Sequence, residues 1–183
     1  MKCSRCQRDA IIFQPYSGNH LCEAHLISDI ESRVKKEIRK KGGLKSGERL
    51  FVSCREPAET FALRVFLSGL LLKRTDISFV ADEAEADTVL TPTCLERVAE
   101  TVLVAVLEGT PDQYLSRPEK RILQPFAAIP RKEIELYAVA HNWHNVEERK
   151  STKTDAFLTS FSETRPGTRF ALKNIKDSLE EML

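Results

Sequence analysis

No stretch of this chain approaches the ~18–20 uninterrupted apolar residues that a helical membrane span requires, so no membrane partner is expected. Neither sign of charge dominates: 28 Lys and Arg stand against 27 Asp and Glu, a formal net charge of +1. No whole-molecule field therefore drives the protein onto nucleic acid, and any RNA contact has to come from a local patch. Cysteine is scarce as well. There are five, three of which fall in one motif, leaving Cys54 and Cys94 as unpaired thiols and excluding a disulfide scaffold. A signal-peptide pattern, internal repeats and low-complexity tracts are all missing. These absences lead to the expectation of a cytoplasmic protein, whose 183 residues make one core of ordinary size plus a small appended module.

Against that background one pattern stands out. Cys3, Cys6, Cys22 and His25 place Cys-x2-Cys fifteen residues ahead of Cys-x2-His, the arrangement of a closed zinc site. Each short pair grips the ion from one tight turn, and Tyr16-Ser17-Gly18-Asn19 supplies the reversal between them. With all four positions filled by protein, no coordination site stays open for water, which points to a structural Zn²⁺. His20 is a rival donor, but the Cys-x2-His register favours His25.

Behind this motif, Leu26, Ile27, Ile30, Val34 and Ile38 keep helical spacing up to Gly42-Gly43, predicting a helix over 26–41. It carries the densest basic run of the chain, Arg33, Lys35, Lys36, Arg39, Lys40 and Lys41. That run reads either as a solvated face, favoured near a helix C-terminus, or as a phosphate contact for RNA.

After the glycines, short apolar runs alternate with helical stretches. Strands are expected at 49–54, 77–80, 88–90 and 121–123, and helices at 58–72, 95–107, 131–143, 152–161 and 169–183. Such alternation implies a parallel sheet flanked by helices, with ligands at the carboxyl ends of the strands.

The opening Met-Lys-Cys-Ser-Arg-Cys, the Tyr-Ser-Gly-x-x-Leu-Cys-x-x-His of residues 16–25, the charged helix, the Val98–Leu103 segment, the Pro125–Tyr137 segment and the turn Arg165-Pro166-Gly167 resemble the archaeal and eukaryotic tRNA 2-thiouridine sulfurtransferases of the PP-loop ATPase superfamily. The resemblance implies an α/β fold. Its main body would be a reduced PP-loop domain, Rossmann-like and of the adenine nucleotide alpha hydrolase kind, with flanking helices. The expected organisation is a zinc finger at 1–27, a basic connecting helix at 28–43 and the α/β domain with its C-terminal helices at 44–183.

Departures from the family pattern shape the functional expectation. The family's Ser-Gly-Gly-x-Asp-Ser loop wraps pyrophosphate with backbone amides. The aligned residues here are Ser53, Cys54, Arg55, Glu56, Pro57, Ala58, Glu59 and Thr60. They include no glycine, Pro57 has no amide donor, and Glu56 and Glu59 bring negative charge. Thr91-Pro92-Thr93-Cys94-Leu95-Glu96-Arg97 stands where the family has Gly-His-Asn-x-Asp-Asp, and the family's mid-domain cysteines and C-terminal finger have no counterpart.

The reading that follows is a non-catalytic subunit of a tRNA 2-thiolation complex. It would pair as a heterodimer with an active sulfurtransferase, contact tRNA through the basic helix, and hold zinc but neither ATP nor an iron–sulfur cluster. A free-standing zinc-containing tRNA-binding protein is the alternative. A residual sulfur-transfer enzyme using Cys54 or Cys94 is a third reading, if those thiols face each other across the strand ends. His141 and His144, flanking Trp143, are open to reading as a second metal or base-stacking site.

Overall fold

The computed structural model describes residues 1–110, 119–145 and 151–181. The Cys-rich segment forms a two-stranded antiparallel hairpin, β1 (Ile12–Gln14) and β2 (Asn19–Leu21), with Ile12 opposite Leu21 and Phe13 opposite His20. Gly18 turns it at φ +68°, where a side chain would be strained. Cys22 then caps α1 (Glu23–Lys40), which buries Leu26, Ile30, Val34 and Ile38 at every fourth position. The helix starts three residues before the apolar period does, so His25 sits in its first turn. Gly42 and Gly43, at φ +91° and +70°, end it.

Four parallel strands follow: β3 (Arg49–Val52), β4 (Ser78–Phe79), β5 (Thr88–Leu90) and β6 (Arg121–Leu123), in the order β4-β3-β5-β6. The expected strand at 77–80 is reduced to two paired residues at the sheet edge. Between strands lie α2 (Pro57–Leu70) and α3 (Leu95–Glu108). The chain leaves β3 toward one edge and β5 toward the other, so right-handed crossovers put α2 and α3 on opposite faces. Packing agrees with this. The helix α4 (Arg131–Ala140) lies against α1 and α2, while α5 (Lys153–Thr164) and α6 (Thr168–Glu181) lie against α3.

The sequence predicts α4 to run to residue 143, but it ends at Ala140. Asn142 takes a left-handed conformation (φ +68°), and the Trp143 N–H returns to the Ala138 carbonyl at 3.0 Å. Residues 182–183 of the expected last helix lie outside the described residues. The main core joins Leu50, Leu90 and Leu123 of the sheet to Leu63 and Phe66 of α2 and to Ile134 and Tyr137 of α4.

One polar seam is absent from any periodicity argument. The Lys173 ammonium on α6, 5% exposed, donates to Asp177 at 2.6 Å and to Glu37 of α1 at 3.1 Å. Lys40 donates to the same Asp177 at 2.9 Å, and Lys41 to Glu180 at 2.6 Å. Burial alone would raise both carboxyls, yet Lys173 and Lys40 hold Asp177 below its ordinary value, as Lys176 and Lys41 do Glu180. Folded values below unfolded ones mean that the seam contributes its full stability above the unfolded carboxylate range of about 4. That stability is lost as pH falls through the lower folded values. Acid titration followed by circular dichroism should therefore show the midpoint of thermal unfolding dropping below about pH 4. In the Asp177→Asn variant this drop should be smaller.

Candidate metal centre and strand-end crevice

The donor atoms of Cys3, Cys6, Cys22 and His25 all lie within 4.8 Å of one another. The Cys6 and Cys22 sulfurs are 3.8 Å apart, and His25 Nδ1 stands 3.3 Å from Cys3 Sγ and 3.4 Å from Cys22 Sγ. Metal–sulfur bonds of about 2.3 Å and metal–nitrogen bonds of about 2.0 Å place tetrahedral donors roughly 3.5–3.8 Å apart, so this set fits one ion. The local chain arranges it. The Cys3 N–H donates to Arg8 O (2.9 Å) and the Ser4 N–H to His20 O (2.7 Å), folding the first knuckle onto β2. Burial would push the Cys3 thiol up, but the Arg5 and Cys22 backbone amides and His25 bring it down to about 6, in the direction a thiolate ligand needs. His20 takes no part: its ring stacks on Phe13 with centroids 4.6 Å apart.

The metal finger is joined to the α/β domain by a part-buried polar node centred on buried Glu133. Arg33 of α1 donates to Tyr16 Oη (2.7 Å) and to Glu133 Oε2 of α4 (2.8 Å), and the Tyr16 hydroxyl donates to Glu133 Oε1 at 2.7 Å. The second guanidinium nitrogen of Arg33 donates to the Ala128 carbonyl. Arg33 also faces Asp29 at 3.4 Å, which in turn accepts from Arg5 at 2.8 Å. Burial raises the Glu133 carboxyl above its ordinary value, with the Arg33 charge and Tyr16 hydroxyl opposing it.

The basic run is thereby divided. Arg33 is committed to this node, Lys35 pairs with Glu31 at 3.2 Å, and Lys40 and Lys41 serve the α6 seam. Lys36 and Arg39 are exposed and have no ion pair among the described residues. A heptad-like count marks which side of α1 is polar. It gives no sign that carboxylates from α4 and α6 would come to meet that side.

At the carboxyl ends of β3 and β5 the chain departs toward opposite sheet edges, the position where open α/β sheets take ligands. Ser53 is tied to β5 through its N–H to Leu90 O (3.0 Å). Pro57 opens α2, a position that needs no amide donor. Carboxylates and guanidiniums fill the rest. Glu56 faces Arg97 at 3.4 Å, buried Glu59 faces Arg131 at 3.5 Å, and Glu96 accepts from the Arg131 N–H at 2.7 Å and faces Arg169 at 3.4 Å.

Cys54 is exposed with the Arg64 guanidinium 3.4 Å from its sulfur, whereas Cys94 is buried in the main core and its thiol is pushed up to about 12, chiefly by burial. Each cysteine thus has an arginine neighbour, Arg64 and Arg131. His141 Nδ1 lies 2.8 Å from the Tyr137 carbonyl and Trp143 packs on Phe61, and among the described residues neither His141 nor His144 is gathered with other donors that could hold a metal. The four-donor finger is the one metal-binding constellation among the described residues.

Three likenesses to known proteins bear on this geometry. Residues 2–27 match the family described as 2-thiouridine synthetase TtuA, N-terminal LIM domain. A 39-residue stretch is 46% identical to the tRNA 2-thiolation protein NcsA of Haloferax volcanii, covering 21% of this chain and 12% of that protein. In three dimensions the chain resembles the U34-tRNA thiolase NcsA from Methanococcus maripaludis with its [4Fe-4S] cluster. There the TM-score is 0.81 at 14% identity, over 100% of this chain and 88% of that one. At that identity the likeness establishes the α/β fold.

These findings correct the functional expectation drawn from sequence. The relatives are a thiolation protein and a thiolase, not a non-catalytic subunit or a free tRNA-binding finger, and both of those readings are set aside. The reading as a non-enzyme goes with them. It rested on the missing glycines after β3, and a crevice lined by carboxylates is not evidence of lost chemistry, since carboxylates are themselves acids and bases. The expectation that no iron–sulfur cluster is involved is likewise overturned, because the thiolase of matching fold holds a [4Fe-4S] cluster. Such clusters are held by cysteine thiolates, typically four. Outside the finger this chain has two cysteines, Cys54, which is exposed, and Cys94, which is buried in the main core.

Proposed function

We propose that this chain takes part in tRNA thiolation, working from the thiolase fold with the crevice between β3 and β5 as its reaction site. The observation that carries the reading is the pairing, in one chain, of a four-donor metal finger like that of TtuA with an α/β domain that follows NcsA from end to end. Metal held in the finger supplies rigidity, and the Arg33–Tyr16–Glu133 node passes that rigidity to α4, whose N-terminus borders the crevice. Tetrahedral Cys₃His coordination is the zinc type, and the finger is assigned zinc on that ground. The exposed Lys36 and Arg39 are the tRNA-facing cations of α1 in this reading, because the other basic residues of the run are held by carboxylates.

The test is made in the protein's own cells by deleting its gene and quantifying 2-thiouridine in total tRNA by mass spectrometry. Loss of the thiolated nucleoside, restored by the native gene and only weakly by the Lys36→Glu/Arg39→Glu double variant, is the expected result. An unchanged thiouridine content in the deletion strain rejects the proposal. Full rescue by the double variant removes α1 from it.

A further inference from the structure

Zinc has no redox chemistry of its own, so the oxidisable groups of a Cys₃His centre are its sulfurs. Burial sorts the three of them. Cys3 and Cys22 are 6% and 3% exposed, whereas Cys6 is only partly covered and is open to a small oxidant. Cys3 is enclosed further, its sulfur accepting the Arg5 N–H at 3.4 Å and facing His25 Nδ1 at 3.3 Å. The Cys22 sulfur, from the opposite knuckle, stands 3.8 Å from that of Cys6. As a metal ligand Cys6 is a thiolate, the nucleophilic form. An accessible thiolate with a second cysteine poised beside it is the arrangement of a redox-sensing site.

The same two cysteines enclose the whole hairpin: β1, the turn with Tyr16 and Gly18, and β2 all lie between them. A bond from Cys6 to Cys22 closes that loop as the metal does. Cys3 and His25, left as two donors, no longer make a tetrahedral set. Residues 1–5 lie outside the loop. Besides the Cys3 sulfur they are tied by the Ala10 N–H to Met1 O (2.9 Å), the Cys3 N–H to Arg8 O (2.9 Å) and the Ser4 N–H to His20 O (2.7 Å). The exposed Arg5 also meets Asp29 at 2.8 Å, a pair that contributes little by itself. Strand pairing this short is marginal in water without a cross-link.

We propose that the finger is a redox switch: hydrogen peroxide converts Cys6 and Cys22 into a disulfide, zinc leaves, and residues 1–5 come free while the hairpin stays closed. The Cys6 thiolate attacks one peroxide oxygen and breaks the O–O bond, giving a sulfenic acid and hydroxide. The Cys22 thiolate then attacks the Cys6 sulfur, forming the S–S bond and expelling a second hydroxide. Two thiolates give up two electrons, one peroxide takes them, and both negative charges leave as hydroxide. Tyr16 lies inside the closed loop, so its hydrogen bond to Glu133 survives and the α/β domain stays folded. The inference rests on the zinc assignment of the finger and is independent of the thiolation reading.

The experiment uses the full-length zinc-loaded protein, native and as Cys54→Ser, which removes the exposed thiol outside the finger. Hydrogen peroxide is added, zinc release is followed with a chromogenic chelator, and unreduced peptides are mapped by mass spectrometry. Both proteins should release about one zinc per chain in step with the appearance of a Cys6–Cys22 linked peptide. A dithiol reductant with added zinc should restore the metal, and proteinase K should cut residues 1–5 in the oxidised form alone. Zinc kept at a peroxide concentration that fully oxidises Cys54 of the native protein overturns the switch. A disulfide from Cys3 to either other sulfur, or sulfinic acid at Cys6 in place of a disulfide, overturns it as well. So does cleavage of the oxidised form inside residues 12–21, which would show that the loop is not held closed.

Discussion

Cys22→Ser is expected to empty the metal centre and unfold the first 25 or so residues. The native protein should carry about one zinc per chain and the variant close to none, read by elemental analysis of the gel-filtered protein. The size of the effect follows from the position of this sulfur. Cys22 is 3% exposed, it lies 3.8 Å from Cys6 Sγ and 3.4 Å from His25 Nδ1, and its backbone caps α1. A serine hydroxyl is a poor zinc ligand. Without the ion, two-residue knuckles and a three-residue hairpin have little else to hold them, because an isolated two-stranded hairpin is marginal in water. Proteolysis should then cut within residues 1–20 while the α/β domain stays intact. A fully folded, metal-loaded variant would show that the four donors are not the source of the finger's stability.

Glu133→Ala should lower stability by about 3–5 kcal/mol in denaturant unfolding. The carboxylate is 2% exposed and holds both Tyr16 and Arg33. Its removal leaves the Arg33 charge largely desolvated, with Asp29 at 3.4 Å as its remaining carboxylate. The energetic cost comes from that stranded charge more than from the lost pair itself. Truncating both partners, as Glu133→Ala with Arg33→Leu, should therefore be less damaging than the single change. A double-mutant cycle measures the difference. A change below about 1 kcal/mol in Glu133→Ala would mean that the node is solvated and does not bind the finger to α4.

The two variants divide along a line that also separates what could be read from residues alone. The metal centre was legible because its donors come in pairs three apart, and the chain needs only one tight turn to present each pair. The core face of α1 was legible because Leu26, Ile30, Val34 and Ile38 share one period. The fate of its basic face was not. Arg33 and Lys36 look alike along the sequence. One finds Glu133 a hundred residues away and the other faces water, a distinction created when α4 packs on α1. Pro57 and the acidic residues beside it read as obstacles to phosphate binding. In the fold, Pro57 begins a helix and Glu59 meets Arg131. These local features point to a non-catalytic subunit, and the likenesses to a thiolation protein and a thiolase set that reading aside.

The sequence by itself determined the metal finger, the alternation of strands and helices, and the apolar face of α1. All three are set by spacings of a few residues and by the 2.0 and 3.6 periods of the backbone. Only the tertiary structure decided which charges are buried and paired and how the finger is held to α4. Desolvation and ion pairing depend on what comes to lie within a few ångströms. In this chain those neighbours arrive from elements 100 to 140 residues apart, as with Arg33 and Glu133 or Lys41 and Glu180.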